Sequence, residues 1–171
     1  EDFIAMEDAD RERRKQFVVG VDFAFTKDKE NDRSAFVVGG LDGNNDIHVV
    51  HSKAEHWDSE QSIDYLFELQ ELWNPDFFVL EGGQATQAIL PTIYREMRLR
   101  NVWLGLVVVP IIGDKRLRAT ALQKRMRAGA VKFDKDIEDY ADLEAEMRKF
   151  TGHKVQFIRE FGVLDENGVL T

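Results

Sequence analysis

Hydrophobic residues in the first third of the chain form short runs or alternate with polar residues, as in β-strands. Residues 17–25 (FVVGVDFAF) are a β-branched and aromatic run that predicts a buried strand. Further strands are predicted over residues 34–41 and, with alternating character, over residues 46–56. Polar turns separate the strands, and the turn DGNND is rich in residues that tolerate positive φ. This pattern predicts an antiparallel meander of three strands.

The hydrophobic spacing then changes to a helical period. Ile63, Leu66 and Phe67 follow i, i+3, i+4 spacing, with Ser59 as the predicted N-cap, and Asn74-Pro75 predicts the end of this helix. The elements predicted after it are a strand over 76–83, a helix over 85–100, a strand over 101–111, a basic helix over about 115–128, a short extended piece over 130–134 and an amphipathic helix over 136–150.

The order of these elements predicts an α/β fold. Three meander strands followed by alternating helices and strands give a mixed five-stranded sheet with helices on both faces. This is the order of the ribonuclease-H-like architecture, whereas a flavodoxin-like chain would alternate from its start. Residues 1–16 are expected to be a linker or lead-in helix outside the core, and residues 17–171 to be the domain itself.

Composition narrows the possible chemistry. The 171 residues suffice for one domain, and the absence of Cys excludes disulfides, Cys-ligated zinc, iron–sulfur clusters and thiol catalysis. Four scattered His make an all-His zinc site improbable, and we interpret His48, His51 and His56 as structural. No apolar run approaches the ~18 residues of a membrane span, so we expect no membrane association and an intracellular protein.

Charge is unevenly distributed. A net charge of −9 taken alone argues against a nucleic-acid partner. Residues 115–127, however, carry six bases and no acid, whereas residues 134–146 carry seven acids and one base. Lys115, Arg116 and Arg118 crowd the first turn of a predicted helix, where positive charge opposes the macrodipole. This placement suggests an anionic partner, with a solvated charged face as the alternative.

Two acids end apolar strands. Asp22 follows Val18, Val19 and Val21, and Glu81 follows a run of four apolar residues and precedes two glycines. An ionised carboxylate in an apolar strand is costly unless it is paired or binds a metal. If the two strands are neighbours, both carboxylates lie at one end of the sheet and suit Mg²⁺ or Mn²⁺. The alternative is that each acid merely ends its strand and faces solvent.

Asp32 lies in a turn before the second strand. Turn chemistry is the simpler interpretation, and an auxiliary role near the metal is the functional one, because the hairpin would fold Asp32 back beside Asp22. Phosphate-binding and nucleophile motifs of the Walker A, G-x-G-x-x-G and G-x-S-x-G types do not occur in the chain.

Four segments carry a family resemblance: residues 18–40, 75–83, 107–133 and 142–154. Together they resemble the C-terminal nuclease domain of bacteriophage terminase large subunits. The resemblance implies a ribonuclease-H-like endonuclease that cuts concatemeric double-stranded DNA with two Mg²⁺ or Mn²⁺ ions. It implies that Asp22 bridges both ions, that Glu81 binds one, and that Lys115, Arg116 and Arg118 hold the DNA backbone.

The resemblance also has implications for partners and location. It implies an ATPase motor domain in the full protein, a portal, a small terminase subunit and a site of action in the host cell cytoplasm. The phosphate-binding loop of the motor does not occur in this chain, and we expect the isolated domain to be a monomer.

The third acid of the family is missing from its usual place. Phe150-Thr151-Gly152-His153-Lys154 runs straight into Val155, and no acid occurs before Glu160. We therefore expect an acid-bearing loop to belong between Lys154 and Val155, and a helix after it to pack on the sheet close to Asp22. His153 would then border the active site. If the two residues are directly joined, the third acid would have to be Glu160 or Asp165, or the chain would lack one.

Two other functions remain open. Another ribonuclease-H-like nuclease, such as a junction resolvase or a transposase core, would share the acids but prefer a different DNA substrate. A non-catalytic DNA-binding or assembly module would retain acids left from an ancestor, and the missing third acid favours it.

Overall fold

Seven strands and five helices follow one another in the computed structural model, which describes residues 2–25, 33–110 and 115–148, with the backbone alone for 115–118. They are β1 (Ile4–Ala5), α1 (Asp8–Glu12), β2 (Lys15–Asp22), β3 (Ser34–Asp42), β4 (Ile47–Glu55), α2 (Ser59–Trp73), β5 (Phe77–Glu81), α3 (Gln84–Arg100), β6 (Leu106–Val109), α4 (Lys115–Arg127), β7 (Val131–Phe133) and α5 (140–148). No described helix has the length and apolar character needed to cross a membrane.

The strands form one mixed sheet in the order β1-β7-β4-β3-β2-β5-β6. Strands β2, β3 and β4 pair antiparallel, as the predicted meander requires. Strand β5 pairs in parallel with both β2 and β6, and α3 makes the crossover between β5 and β6. The predicted α/β, ribonuclease-H-like class is confirmed.

The sheet has seven strands within the described residues rather than the five expected. The additional strands are β1, which has 2 residues, and β7, which has 3 and was predicted only as an extended piece. Segments this short show no hydrophobic period. They become strands because β7 pairs in parallel with both β4 and β1. Their strand structure therefore comes from pairing with distant parts of the chain and not from a local sequence pattern.

The first residues pack against the domain. Residues 1–16 include the short helix α1, but they also add β1 to the sheet, and Met6 is only 8% exposed. Asp10 is buried, and its Oδ1 lies 2.7 Å from Lys132 Nζ. The expectation that this segment lies outside the core is therefore wrong for the described residues. The placement of the domain boundary at residue 17 stays a prediction.

The buried apolar side chains form two clusters. Helices α2 and α3 pack on one face, around the fully buried side chains Phe36, Leu66, Phe78, Leu80 and Ile93. A second, smaller cluster brings together α4, β7 and the start of α5 through Met126, Val131, Phe133 and Tyr140.

The N-cap of helix α2 lies one residue earlier in the chain than the sequence predicts. Its N-cap is Asp58 rather than Ser59, because the Asp58 carboxylate accepts from Gln61 N–H at 2.8 Å and Gln61 Oε1 accepts from Asp58 N–H at 3.2 Å. This reciprocal pair is a capping box. The predicted end of the helix is confirmed by Asn74, which adopts a left-handed conformation with φ 44°.

A buried polar contact closes the β3–β4 hairpin. His48 Nε2 donates to Asp42 Oδ2 at 2.8 Å, and Asn44 and Asp46 N–H groups donate to Asp42 Oδ1. The hydrogen bond from His48 is the main reason that the pKa of the Asp42 carboxyl lies far below its ordinary value. His51 is likewise internal, bonded to the Tyr65 hydroxyl, so the structural interpretation of His48 and His51 is confirmed.

Replacing Asp42 should weaken this hairpin in a pH-dependent way. We expect Asp42→Asn to lower the free energy of unfolding by about 1–3 kcal/mol at pH 7, because a buried acceptor is lost. A carboxyl with a depressed folded pKa stabilises above its unfolded pKa of ~3.9, and this stabilisation is lost as pH falls below about 4. Urea unfolding at pH 7, 5 and 3.5 measures the difference in the free energy of unfolding between the variant and the wild type.

The matched control is Asp46→Asn, which removes a half-buried carboxylate of the same turn. It should change stability by less than about 0.5 kcal/mol. If Asp42→Asn lowers the free energy of unfolding equally at all three pH values, the low pKa of Asp42 is not the source of the stabilisation.

Candidate active site

Asp22 and Glu81 end two neighbouring parallel strands. Val21 of β2 is in register with Leu80 of β5, and Asp22 and Glu81 each follow by one residue. The carboxyl ends of parallel strands meet at one edge of a sheet, and neighbouring strands lie about 5 Å apart. The structure therefore brings the two predicted acids together, side by side at the carboxyl edge.

Both acids project from the same face. Val21 and Leu80 are 5% and 0% exposed, and they point toward the core beneath α2 and α3. Because successive side chains on a strand alternate, Asp22 and Glu81 point to the opposite face. Asp22 is exposed and Glu81 is half-buried, so solvent reaches both residues.

The backbone beyond Asp22 is fixed by a buried serine. Ser34, at the start of β3, is 0% exposed, and its hydroxyl accepts from Ala24 N–H at 3.0 Å and lies 3.3 Å from Ala24 O. Phe23 is buried and stacks on Phe25, with ring centroids 5.5 Å apart. These contacts hold the chain on either side of Ala24, so the position of Asp22 does not depend on a loose strand end.

Two hydrogen bonds fix the backbone at Glu81 and Gly82. Thr86 Oγ1 donates to Glu81 O at 2.6 Å, and Gly82 N–H donates to Val109 O at 2.7 Å. A Cβ on Gly82 would lie 3.0 Å from that same Val109 oxygen, which is tighter than most Cβ contacts in proteins, so the Val109 backbone would have to shift. Gly83 then turns the chain into α3 with φ 153°, a conformation that side chains rarely adopt.

An ion-pair cluster ties α5 to the same edge. Arg33, which immediately precedes β3, lies 2.9 Å from the Asp142 carboxylate and also pairs with Glu146. Ala35 of β3 is in register with Asp22, so these pairs hold α5 beside the strand next to the two acids.

Several predicted site residues lie outside the described part of the chain. These are Asp32, His153 and the expected acid-bearing junction between Lys154 and Val155 together with the helix after it. Lys115, Arg116 and Arg118 form the first turn of α4, as predicted, but their side chains are not described. Their proposed functions stay predictions.

The described residues supply two carboxylates to the candidate site and no group of three metal-binding side chains. Oxygen donors on adjacent strands fit a hard divalent cation, which keeps open positions for water and phosphate. The donor set therefore fits such an ion, with two of its ligands identified.

Sequence reasoning missed Ser34, Thr86 and Arg33. A serine at the first position of a strand and a threonine in the first turn of a helix are common, so neither signals a contact with the backbone at an active site. The Arg33 pairs join residues more than 100 positions apart in sequence, and no local pattern shows them.

Comparisons with known proteins were made by sequence and by structure. No model of a known protein family and no curated protein sequence matches the chain. Among solved structures, the large terminase nuclease from thermophilic phage G20c with bound zinc is similar with a TM-score of 0.55 and 18% identity over 79% of this chain and 78% of that chain.

Two further structures support the same fold. The G20c nuclease with bound magnesium is similar with a TM-score of 0.51 and 17% identity, over 78% of this chain and 62% of that chain. The human cytomegalovirus terminase nuclease domain is similar with a TM-score of 0.52 and 16% identity, over 72% of this chain and 64% of that chain.

The chain has a ribonuclease-H-like fold, similar to that of these terminase nucleases. It spans less than two thirds of the length of some of the terminase structures that it matches. At these identities the likeness concerns the fold. The placement of the two acids follows from the strand register of this chain and stands independently of the comparison.

Loss of the Thr86 hydroxyl should destabilise the carboxyl edge of the sheet. Thr86→Val leaves the Glu81 carbonyl without its donor, and because Thr86 is 2% exposed we expect a loss of about 1–3 kcal/mol in the free energy of unfolding. Thr86→Ser keeps the donor and should recover most of that loss. Thr92→Val, a half-buried position on the same helix, is the control and should change stability little. Urea unfolding measures the free energy of unfolding of all three variants. Equal losses for the Val and Ser variants at position 86 would show that the hydrogen bond from Thr86 to the Glu81 carbonyl is not what stabilises this edge.

Proposed function

We propose that the chain is a divalent-metal-dependent endonuclease domain that hydrolyses phosphodiester bonds of double-stranded DNA. The observation that carries the proposal is the side-by-side placement of Asp22 and Glu81 at the carboxyl edge of a ribonuclease-H-like sheet. Nuclease structures with this fold, among them terminase nucleases with bound magnesium or zinc, support the reaction class.

The two carboxylates would hold Mg²⁺ or Mn²⁺. Two ions suit the reaction, because such ions activate water for in-line attack on phosphorus and neutralise the charge that develops on the leaving oxygen. Asp22, exposed at the strand end, would contact both ions, and Glu81, half-buried between β2 and β6, would hold one. The hydrogen bonds from Ser34 and Thr86 would keep both acids in place before substrate arrives.

DNA would be held by contacts to its backbone. In this proposal Lys115, Arg116 and Arg118 contact phosphates without reading sequence. As a terminase-type domain, the chain would act in the host cell cytoplasm beside an ATPase motor, a portal and a small terminase subunit, cutting concatemeric DNA during packaging. Asp32 and His153 would be auxiliary residues near the metal.

Cleavage of supercoiled plasmid tests the proposal. Wild-type chain with Mn²⁺ or Mg²⁺ should nick and linearise the plasmid, and excess chelator should stop the reaction. Asp22→Asn and Glu81→Gln should each lower the cleavage rate by more than about 100-fold, because each removes a metal ligand while preserving its shape. Glu60→Gln, an exposed change in the first turn of α2, is the control and should cut at the wild-type rate.

A wild-type rate of plasmid cleavage in the Asp22→Asn variant would refute the assignment of Asp22 as a metal ligand.

The same cleavage assay distinguishes the proposed function from the two alternatives. A strong preference for four-way junctions over linear duplex would favour a resolvase, and failure to bind Mn²⁺ and to cut any DNA would favour a non-catalytic module.

A further inference from the structure

Arg33 lies at the carboxyl edge of the sheet, close to Asp22. It precedes Ser34, the first residue of β3, and Ala35 is in register with Asp22. With a rise of about 3.4 Å per residue and neighbouring strands about 5 Å apart, the Cα atoms of Arg33 and Asp22 are about 9 Å apart. An arginine side chain can bridge most of that distance.

Helix α5, which contacts Arg33, lies on the face of the sheet that carries the two acids. Val38 of β3 belongs to the cluster beneath α2 and α3, and Gly40, two residues further on, points to the same side. His48 is the register partner of Gly40, so the next residue, Val49, points to the opposite side. Val49 packs in the cluster that includes the start of α5. The Arg33 side chain, α5 and the two acids therefore share one face, and a single ligand can contact all three.

Two carboxylates of α5 bind the Arg33 guanidinium. Arg33 Nη1 donates to Asp142 Oδ2 at 2.9 Å, and Nη2 donates to Glu146. Asp142 and Glu146 are four residues apart and so lie on one side of the helix. Their side chains are 62% and 56% exposed. Ion pairs this exposed contribute little to stability, so another anion can replace the carboxylates without unfolding the domain.

The acids around α5 oppose DNA binding at this edge. Residues 134–146 carry seven acids and one base, and Arg33 with its two partners combines one positive charge with two negative ones. A duplex that reaches Asp22 brings its negatively charged phosphates to the same face. Arg33 offsets that repulsion only when a phosphate takes the place of the carboxylates.

We propose that Arg33 binds a DNA phosphate next to the bond that is cut, and that Asp142 and Glu146 hold Arg33 until DNA displaces them. This inference rests on the proposed nuclease function and adds a phosphate contact beside the acids to that of the α4 bases. Carboxylate and phosphate compete for one guanidinium, because the arginine fork binds both anions through the same pair of N–H groups. The ion pairs thus lower the affinity of the free protein for DNA.

Freeing Arg33 should strengthen DNA binding. We expect Asp142→Asn/Glu146→Gln to raise the affinity for a 30-base-pair duplex about 3- to 10-fold, because phosphate no longer has to displace two carboxylates. Fluorescence anisotropy at about 150 mM salt, in Ca²⁺ to limit cutting, measures this affinity. A variant that fails to fold cannot bind DNA more tightly, so misfolding does not produce this result.

The gain in affinity should depend on Arg33. Arg33→Gln alone should weaken duplex binding and lower the slope of log affinity against log salt by about 0.9, because one phosphate contact is lost. In the Arg33→Gln background, the two α5 substitutions should raise affinity by less than about 2-fold, since only screened repulsion remains to be relieved. Arg33→Lys keeps the charge and should retain the wild-type slope.

The matched control is Asp136→Asn/Glu138→Gln, which removes the same two charges just before α5. Both residues are exposed, and Arg11, the partner of Asp136, keeps its pair with Asp134. This variant should change the affinity for duplex by less than about 2-fold, because neither carboxylate occupies Arg33 and salt screens the remaining repulsion.

Equal gains in affinity for the α5 variant and the control would overturn the inference, and so would a gain that persists in the Arg33→Gln background. If the wild type cuts duplex in an Asp22-dependent manner while the α5 variant binds duplex no more tightly than the wild type, only the assignment of Arg33 falls. If the wild type neither binds nor cuts duplex, the proposed function falls with it.

Discussion

The parallel pairing of β2 with β5 is the constraint on which the candidate site depends. Val19 and Val21 of β2 and Phe78 and Leu80 of β5 are each at most 5% exposed, and their burial beneath α2 and α3 fixes the register. Side chains alternate along a strand, so a slip of one residue would expose this apolar set and bury a carboxylate. The same hydrophobic burial that forms the core therefore places Asp22 beside Glu81.

This arrangement links stability to chemistry. Two carboxylates at the ends of neighbouring strands repel each other, and water weakens that repulsion. A divalent cation bound between both carboxylates offsets that repulsion. The contacts of Ser34 and Thr86 are with backbone atoms next to the two acids, so they hold the strand ends without using the carboxylate oxygens.

Much of this could be predicted from the sequence, because the main elements are long and strongly patterned. The meander, α2, α3 and the presence of β2 and β5 follow from hydrophobic period and turn residues, and Asp22 and Glu81 stand out as acids after apolar runs. The predicted strands extend past the observed ends of β2 and β5 by two or three residues. Strands β1 and β7 could not be predicted, since two or three residues show no period. The contacts of Arg33, Ser34 and Thr86 are tertiary, so no local pattern reports them.

Binding of Mn²⁺ tests the central claim most directly, because it depends on the two carboxylates and on no step of catalysis. Titration followed by electron paramagnetic resonance should show Mn²⁺ bound by the wild type and affinity reduced by at least about 10-fold in both Asp22→Asn and Glu81→Gln. Glu60→Gln should bind as the wild type does. Unchanged Mn²⁺ affinity in either Asp22→Asn or Glu81→Gln would contradict the shared site.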